Sequence, residues 1–223
     1  DGWTSDFNRS NRFKYSESIH AAYLIYTRDI TDKLFIQGGL RAEAAQTTSD
    51  QVTQDSIFKN DYFSLFPTLH VRYNFNNKNQ IQLSYSRRVN RPWSRFLNPF
   101  IDYSDPLNLS AGNPALKPEY SNSLELGYTL QFGKTTLTPS VFYTNTSGVI
   151  SRIMSVDNNG VSFTTFKNQD KSSAAGLEVI LAQQFAKWWR LNTNFSYYHA
   201  EVDGPDITQQ TASSNSWTFR LNS

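Results

Sequence analysis

Apolar and polar residues alternate with a period of two along most of this chain, which confines it to β-structure. Leu124, Leu126, Tyr128, Leu130 and Phe132 alternate with Ser123, Glu125, Gly127, Thr129 and Gln131. The rhythm recurs in Leu65, Leu69, Val71, Tyr73 and Phe75 against Ser64, Thr68, His70, Arg72 and Asn74. It returns in Ile81, Leu83 and Tyr85 against Gln80, Gln82 and Ser84, and in Leu191, Phe195 and Tyr197 against Asn192, Asn194 and Ser196. Each run presents one oily and one wet face, because successive strand side chains point to opposite sides. A helical reading fails here, since the apolar positions skip the i+3 and i+4 neighbours and β-branched and aromatic residues are frequent.

The connections sharpen the expectation. Asp29-Ile30-Thr31-Asp32, Asn76-Asn77-Lys78-Asn79, Phe132-Gly133-Lys134-Thr135 and Phe185-Ala186-Lys187-Trp188 read as tight turns. Between them run long polar stretches at Thr47 to Asn60, Asn90 to Lys117, Ser151 to Ser173 and Val202 to Ser214. Strict alternation of short and long is the asymmetry of a transmembrane barrel, with short turns on the periplasmic side and long loops outside. The implied strands lie near 12–28, 33–47, 61–75, 80–90, 119–132, 135–150, 173–185, 189–202 and 214–223. Aromatic residues Tyr26, Phe35, Tyr73, Phe75, Phe132, Phe185, Trp188 and Trp189 cluster where strands meet the tight turns, as an interfacial girdle would.

The expected fold is all-β: one antiparallel transmembrane β-barrel domain over residues 1–223, in the form of a partial barrel of about nine to ten strands. A closed single-chain sheet normally has an even strand count, and the last strand, Trp217, Phe219 and Leu221, stops without a return partner. A tenth strand, Val161 to Phe166, pairing outside the membrane with the strand after it, would instead allow a small closed barrel. A soluble β-sandwich binding module, its oily rows buried under a second sheet, is the competing architecture.

Composition removes several function classes. Charged residues are 18% of the chain, against about a quarter in ordinary soluble domains, while aromatics reach 15%. Without cysteine there is neither a disulfide nor a thiolate site, and a net charge of +2 argues against a nucleic-acid partner. No apolar run is long enough for a transmembrane helix, whereas a spanning strand needs only about 9–11 residues. Asp1 to Asn11 show no signal-peptide pattern, so the chain is expected to be a mature or excised piece. No G-x-S-x-G, H-E-x-x-H or phosphate-cradling glycine run occurs, so neither catalytic residues nor a cofactor is expected. His20, His70 and His199 lack metal-ligand spacing; only His199, near Glu201, Asp203 and Asp206, suggests a cation site, and a solvated acidic loop explains it as well.

One stretch is denser in turn signals than any other. It carries Arg87, Arg88, Asn90, Arg91 and Pro92, then Leu97, Asn98, Pro99 and Phe100, then Asp105, Pro106 and Asn108, and finally Gly112, Asn113, Pro114, Leu116, Pro118 and Glu119. Each proline disfavours helix and extends its predecessor, so a rigid, folded external loop is expected. The ordered series SRR-x-NRP, LNPF, DP-x-N and GNP-x-L-x-PE resembles the barrel domain of TonB-dependent receptors and their relatives in the outer-membrane β-barrel protein family. The resemblance implies residence in the outer membrane and energised import of an iron chelate, a vitamin or a glycan. It also implies a TonB complex engaged through N-terminal parts, a plug, a barrel of about 22 strands and, in some members, a surface lipoprotein lid. No plug, TonB-contacting segment or terminal aromatic strand is visible in this sequence. A non-transport barrel, serving as pore, adhesin or assembly component, is the alternative within the membrane class.

Alternation assigns Arg41, Glu43, Arg72, Arg88, Glu125 and Glu178 to the inner wall, where they would pair with one another or with a solute, and puts Arg87 on the outward row near the outer rim. Trp93, Phe96, Phe100 and Tyr103 are the loop aromatics available to stack on a solute ring or to pack against the barrel mouth. Arg41, Arg72, Arg88, Glu125, Trp93, Phe96 and Tyr103 are therefore the candidate ligand contacts.

Overall fold

The structure, a computed structural model, describes residues 10–168, 171–203 and 212–222. In chain order the strands are β1 (Phe13–Asp29), β2 (Leu34–Gln51), β3 (Ser56–Asn76), β4 (Asn79–Asn90), β5 (Asn108–Ser110), β6 (Glu119–Phe132), β7 (Thr135–Ser147), β8 (Ile150–Val156), β9 (Ser162–Asn168), β10 (Lys171–Gln184), β11 (Arg190–Asp203) and β12 (Ala212–Asn222), with one short helix, α1 (Ser94–Leu97). Nine strands form one antiparallel sheet in the order β1-β2-β3-β4-β6-β7-β10-β11-β12. Among the described residues β1 and β12 each have a single neighbour, so the sheet is an arc with two free edges.

All four tight turns lie at one end and close by local chemistry. Asn76 Oδ1 accepts the amides of Lys78 and Asn79, Thr31 Oγ1 accepts those of Lys33 and Leu34, and Gly133 supplies φ +60° between β6 and β7. The register aligns the oily rows. Phe63, Leu65, Leu69, Val71 and Tyr73 of β3 stand on the same face as Ile81, Leu83 and Tyr85 of β4 and as Leu124 and Leu126 of β6. That face continues through Val141, Leu177, Tyr197 and Trp217 to Phe219 and Leu221. From Phe63 to Tyr73 the row covers eleven residues of β3, matching the roughly 9–11 that a tilted strand needs to cross a bilayer. Above the row the outward positions turn polar: Asp61, Arg87, Asn122, Asn145, Ser173 and Asn215.

The row is bare. Leu126 is 42% exposed, Val141 54% and Trp217 69%, so among the described residues no second sheet covers it and the sandwich architecture does not hold. The buried apolar side chains, Ala45, Phe66, Leu97 and Leu116, gather on the opposite face of β2 and β3, beneath the long loop.

Several expectations need correction. Thr47 to Asn60 is not a polar loop: β2 and β3 continue in register to Gln51 and Ser56, joined by a single 3-10 turn at Val52–Gln54. The extra strand near Val161 to Phe166 exists as β9, but it pairs with the preceding β8 and, in parallel, with β5 in a separate three-stranded sheet. Phe35 does not join the girdle; the odd positions of β2 face inward, and its ring lies 4.6 Å from the Arg72 guanidinium. A helix does form between Pro92 and Pro99, since four residues fit without placing either ring inside it. Asp206 and most of Val202 to Ser214 lie outside the described residues.

Candidate functional site

The loop between β4 and β6 turns inward and is fastened to the wall at its start by a polar cluster around Arg91. Arg91, the first residue after β4, donates to Glu43 Oε2 at 2.5 Å and to the Tyr62 hydroxyl at 2.7 Å, and lies 3.3 Å from Glu17. Glu43 is 6% exposed and also receives Arg41 Nε at 2.5 Å. Strand parity explains the convergence: Glu17, Glu43 and Tyr62 occupy the inward positions of β1, β2 and β3. The cluster also bridges a gap in the wall. β3 pairs with β4 only up to Thr68 and Ser86, and above that the Tyr120–Ser64 hydroxyl contact at 2.7 Å and the Arg91–Tyr62 bond span the opening.

Most of the motif residues hold this loop in shape. Gln51, fully buried, donates to Asn98 Oδ1, which also accepts the Phe100 amide. The Asn98 and Phe96 carbonyls accept the amides of Gly112 and Asn113, Asn113 Nδ2 reaches the Phe166 carbonyl, and Pro114 O receives Asn60. Asn90 donates to Glu119, whose other oxygen accepts the Ile150 amide. Gly112 is required by space: a Cβ there would stand 2.5 Å from the Phe96 carbonyl oxygen and 2.6 Å from that of Asn98. Arg87 lies on the outward row with its guanidinium 5.0 Å from the Tyr120 ring centroid. In the exposed tip, Asp102 and Asp105 accept from Ser104 and from Asn108 and the Leu107 amide, which holds both carboxyls below the ordinary Asp value.

The candidate ligand contacts do not converge. Arg41 is engaged by Glu43, Arg72 sits far down the wall over Phe35, and Arg88 and Glu125 are on inward positions of β4 and β6. Arg72 lines a recess of about 700 Å³ at the short-turn end with Lys33, Asn74, Lys78, Gln80 and Gln131. Trp93 and Phe96 do come together, stacked at 6.3 Å, and Phe96 stacks on Phe166 of β9 at 4.2 Å; Tyr103, 50% exposed, makes no ring contact with them. His199 bonds Asn215 and Glu201 on the outward face. Among the described residues no group of three or more acidic, His or Cys side chains is placed to hold a metal.

Sequence reasoning missed Glu17 and Tyr62 as partners of Arg91, and Arg95, Arg152 and Phe166 around the aromatic pair. Shared inward parity signals the first group. Nothing in the linear sequence brings β9 to α1.

The model of the family described as "Outer membrane protein beta-barrel family" matches residues 1–223. Among solved structures, the copper transporter OprC superposes with a TM-score of 0.68 at 13% identity, covering 86% of this chain and 30% of that one. The hemophore receptor HasR of Serratia marcescens, in complex with its hemophore HasA and heme, gives 0.65 at 14% identity, covering 92% and 41%. The siderophore receptor PirA from Pseudomonas aeruginosa gives 0.60 at 13%, covering 94% and 49%. The chain thus spans under half the length of each of these structures.

Proposed function

The chain belongs to the outer membrane protein beta-barrel family, and from that premise we propose that residues 1–223 form one arc of the wall of a TonB-dependent uptake receptor. It is an outer-membrane β-barrel segment resembling receptors and transporters of iron, siderophore, copper and heme. The observation that carries the proposal is the inward-folded loop, pinned by Arg91 to the inner positions of β1, β2 and β3. A loop held over the mouth forms a fixed entrance that a solute must meet. In this reading the wall faces outer-membrane lipid with its bare row, the solute is an iron chelate, a vitamin or a glycan, and the role is non-enzymatic. A TonB complex and, at the surface, a lipoprotein lid would be engaged through other parts of the protein.

The test is growth on limiting iron chelates, vitamins or glycans by cells carrying or lacking the gene, each with TonB intact or inactivated. Loss of growth on one solute upon gene deletion, reproduced by TonB inactivation, is the expected result. Retention of the gene-dependent phenotype without TonB would discard the uptake reading in favour of a passive pore, adhesin or assembly component.

A further inference from the structure

Where α1 meets β9, cations and rings alternate. The Arg95 guanidinium lies 4.6 Å from the Trp93 ring centroid and 4.9 Å from that of Phe96. Phe96 stacks on Phe166 at 4.2 Å, and Phe166 stands directly opposite Arg152 in the β8–β9 ladder, on the same face. Arg152 leans along that face to Thr164 Oγ1 at 3.5 Å. Neither Arg95 nor Arg152 has a carboxylate partner among the described residues, unlike Arg41 and Arg91, which do. Both are exposed, and Trp93 is 62% exposed, so the platform opens to the outside.

We propose that Trp93, Arg95, Phe96, Phe166 and Arg152 form a docking platform for a solute that combines a planar conjugated ring with a carboxylate. The inference rests on reading this mouth as the solute entrance. The rings offer a stacking surface, and the planar guanidinium forks match a carboxylate bidentately while themselves stacking on aromatic faces. A neutral sugar uses the rings but leaves two cations unanswered. A small inorganic anion uses the cations but leaves the rings bare. Only the combined chemistry uses every group on the platform.

The full-length protein in detergent micelles is titrated by calorimetry with salicylate as the ring-plus-carboxylate probe. Acetate, benzyl alcohol and maltotriose serve as anion-only, ring-only and neutral-sugar probes. Trp93 emission is followed as the difference between wild type and Trp93→Phe. Saturable salicylate binding is expected, with the three other probes at least about tenfold weaker. Arg95→Gln and Arg152→Gln should each weaken it about tenfold, the loss of one charge-assisted contact. Heat-modifiable gel mobility confirms that each variant barrel is folded. Absence of saturable salicylate binding, equal binding of maltotriose or benzyl alcohol, or unchanged affinity in both arginine variants overturns the platform. TonB-independent growth alongside intact salicylate binding would instead overturn only the uptake reading.

Discussion

At the scale of single residues, Arg91 and Glu43 carry the most consequence. Glu43 is nearly buried between two arginines, and Arg91 keeps 22% of its side chain exposed. Removing one member of a buried pair strands the other, at about 3–5 kcal/mol in a closed interior. Because Arg91 is partly wet, Glu43→Ala is expected to cost about 3 kcal/mol, read as a fall in the denaturant midpoint in micelles. Arg91→Lys should rescue little, since one ammonium cannot serve Glu43, Glu17 and Tyr62 with the same fork. Gly112→Ala forces a methyl group against two carbonyl oxygens and is expected to cost about 1–3 kcal/mol, with faster proteolysis of the loop between Trp93 and Lys117. Asp105 gives the pH test. Its carboxyl is held below the ordinary Asp value by Asn108 and the Leu107 amide. A depressed folded-state value means the stabilisation is present above the ordinary value and is lost as pH falls through the lower, folded one. The Leu107 amide should therefore stay protected from exchange through mildly acidic pH and open only below about 3.8.

At the scale of elements, the outward row fixes the depth of each strand in the bilayer. Leu126 of β6 lies within the oily stretch and Asn122 just above it. Leu126→Arg is expected to destabilise by about 2–4 kcal/mol and Asn122→Arg by about 0–1, the contrast between midplane and interface. Equal costs for the two, measured by reversible unfolding in lipid vesicles, would mean that this face does not meet hydrocarbon. The incomplete β3–β4 seam makes a second, independent point. Where backbone pairing ends at Thr68 and Ser86, side chains take over, so Tyr120→Phe should lower stability by about 1 kcal/mol and speed amide exchange selectively in the upper half of β3.

At the scale of the whole molecule, an arc with two free edges and a bare apolar face is stable only where lipid and further strands cover it. Residues 1–223 alone are expected to aggregate in buffer. In micelles they should gain strand signal by circular dichroism, and more so when extended to the full gene product. A monodisperse, cooperatively folding chain in plain buffer would overturn the membrane-arc architecture. The sequence by itself determined the nine wall strands and, Phe35 apart, their sidedness, because period-two patterning is local and three of the four tight turns close with their own Asn, Thr or Gly. Arg87 could be assigned to the outward row and Glu43 to the inward one from parity alone. Only the tertiary structure decided the length of the β2–β3 hairpin, since Thr47 to Asn60 is polar whether it loops or pairs above the membrane. It alone also decided that β9 joins β8 and β5, that Arg91 gathers Glu17, Glu43 and Tyr62 from three strands, and that Phe166 completes the aromatic stack. Apart from the local β8–β9 hairpin, those contacts join residues 29 to 74 positions apart along the chain, and a local pattern holds no information about which distant partner a folded loop will meet.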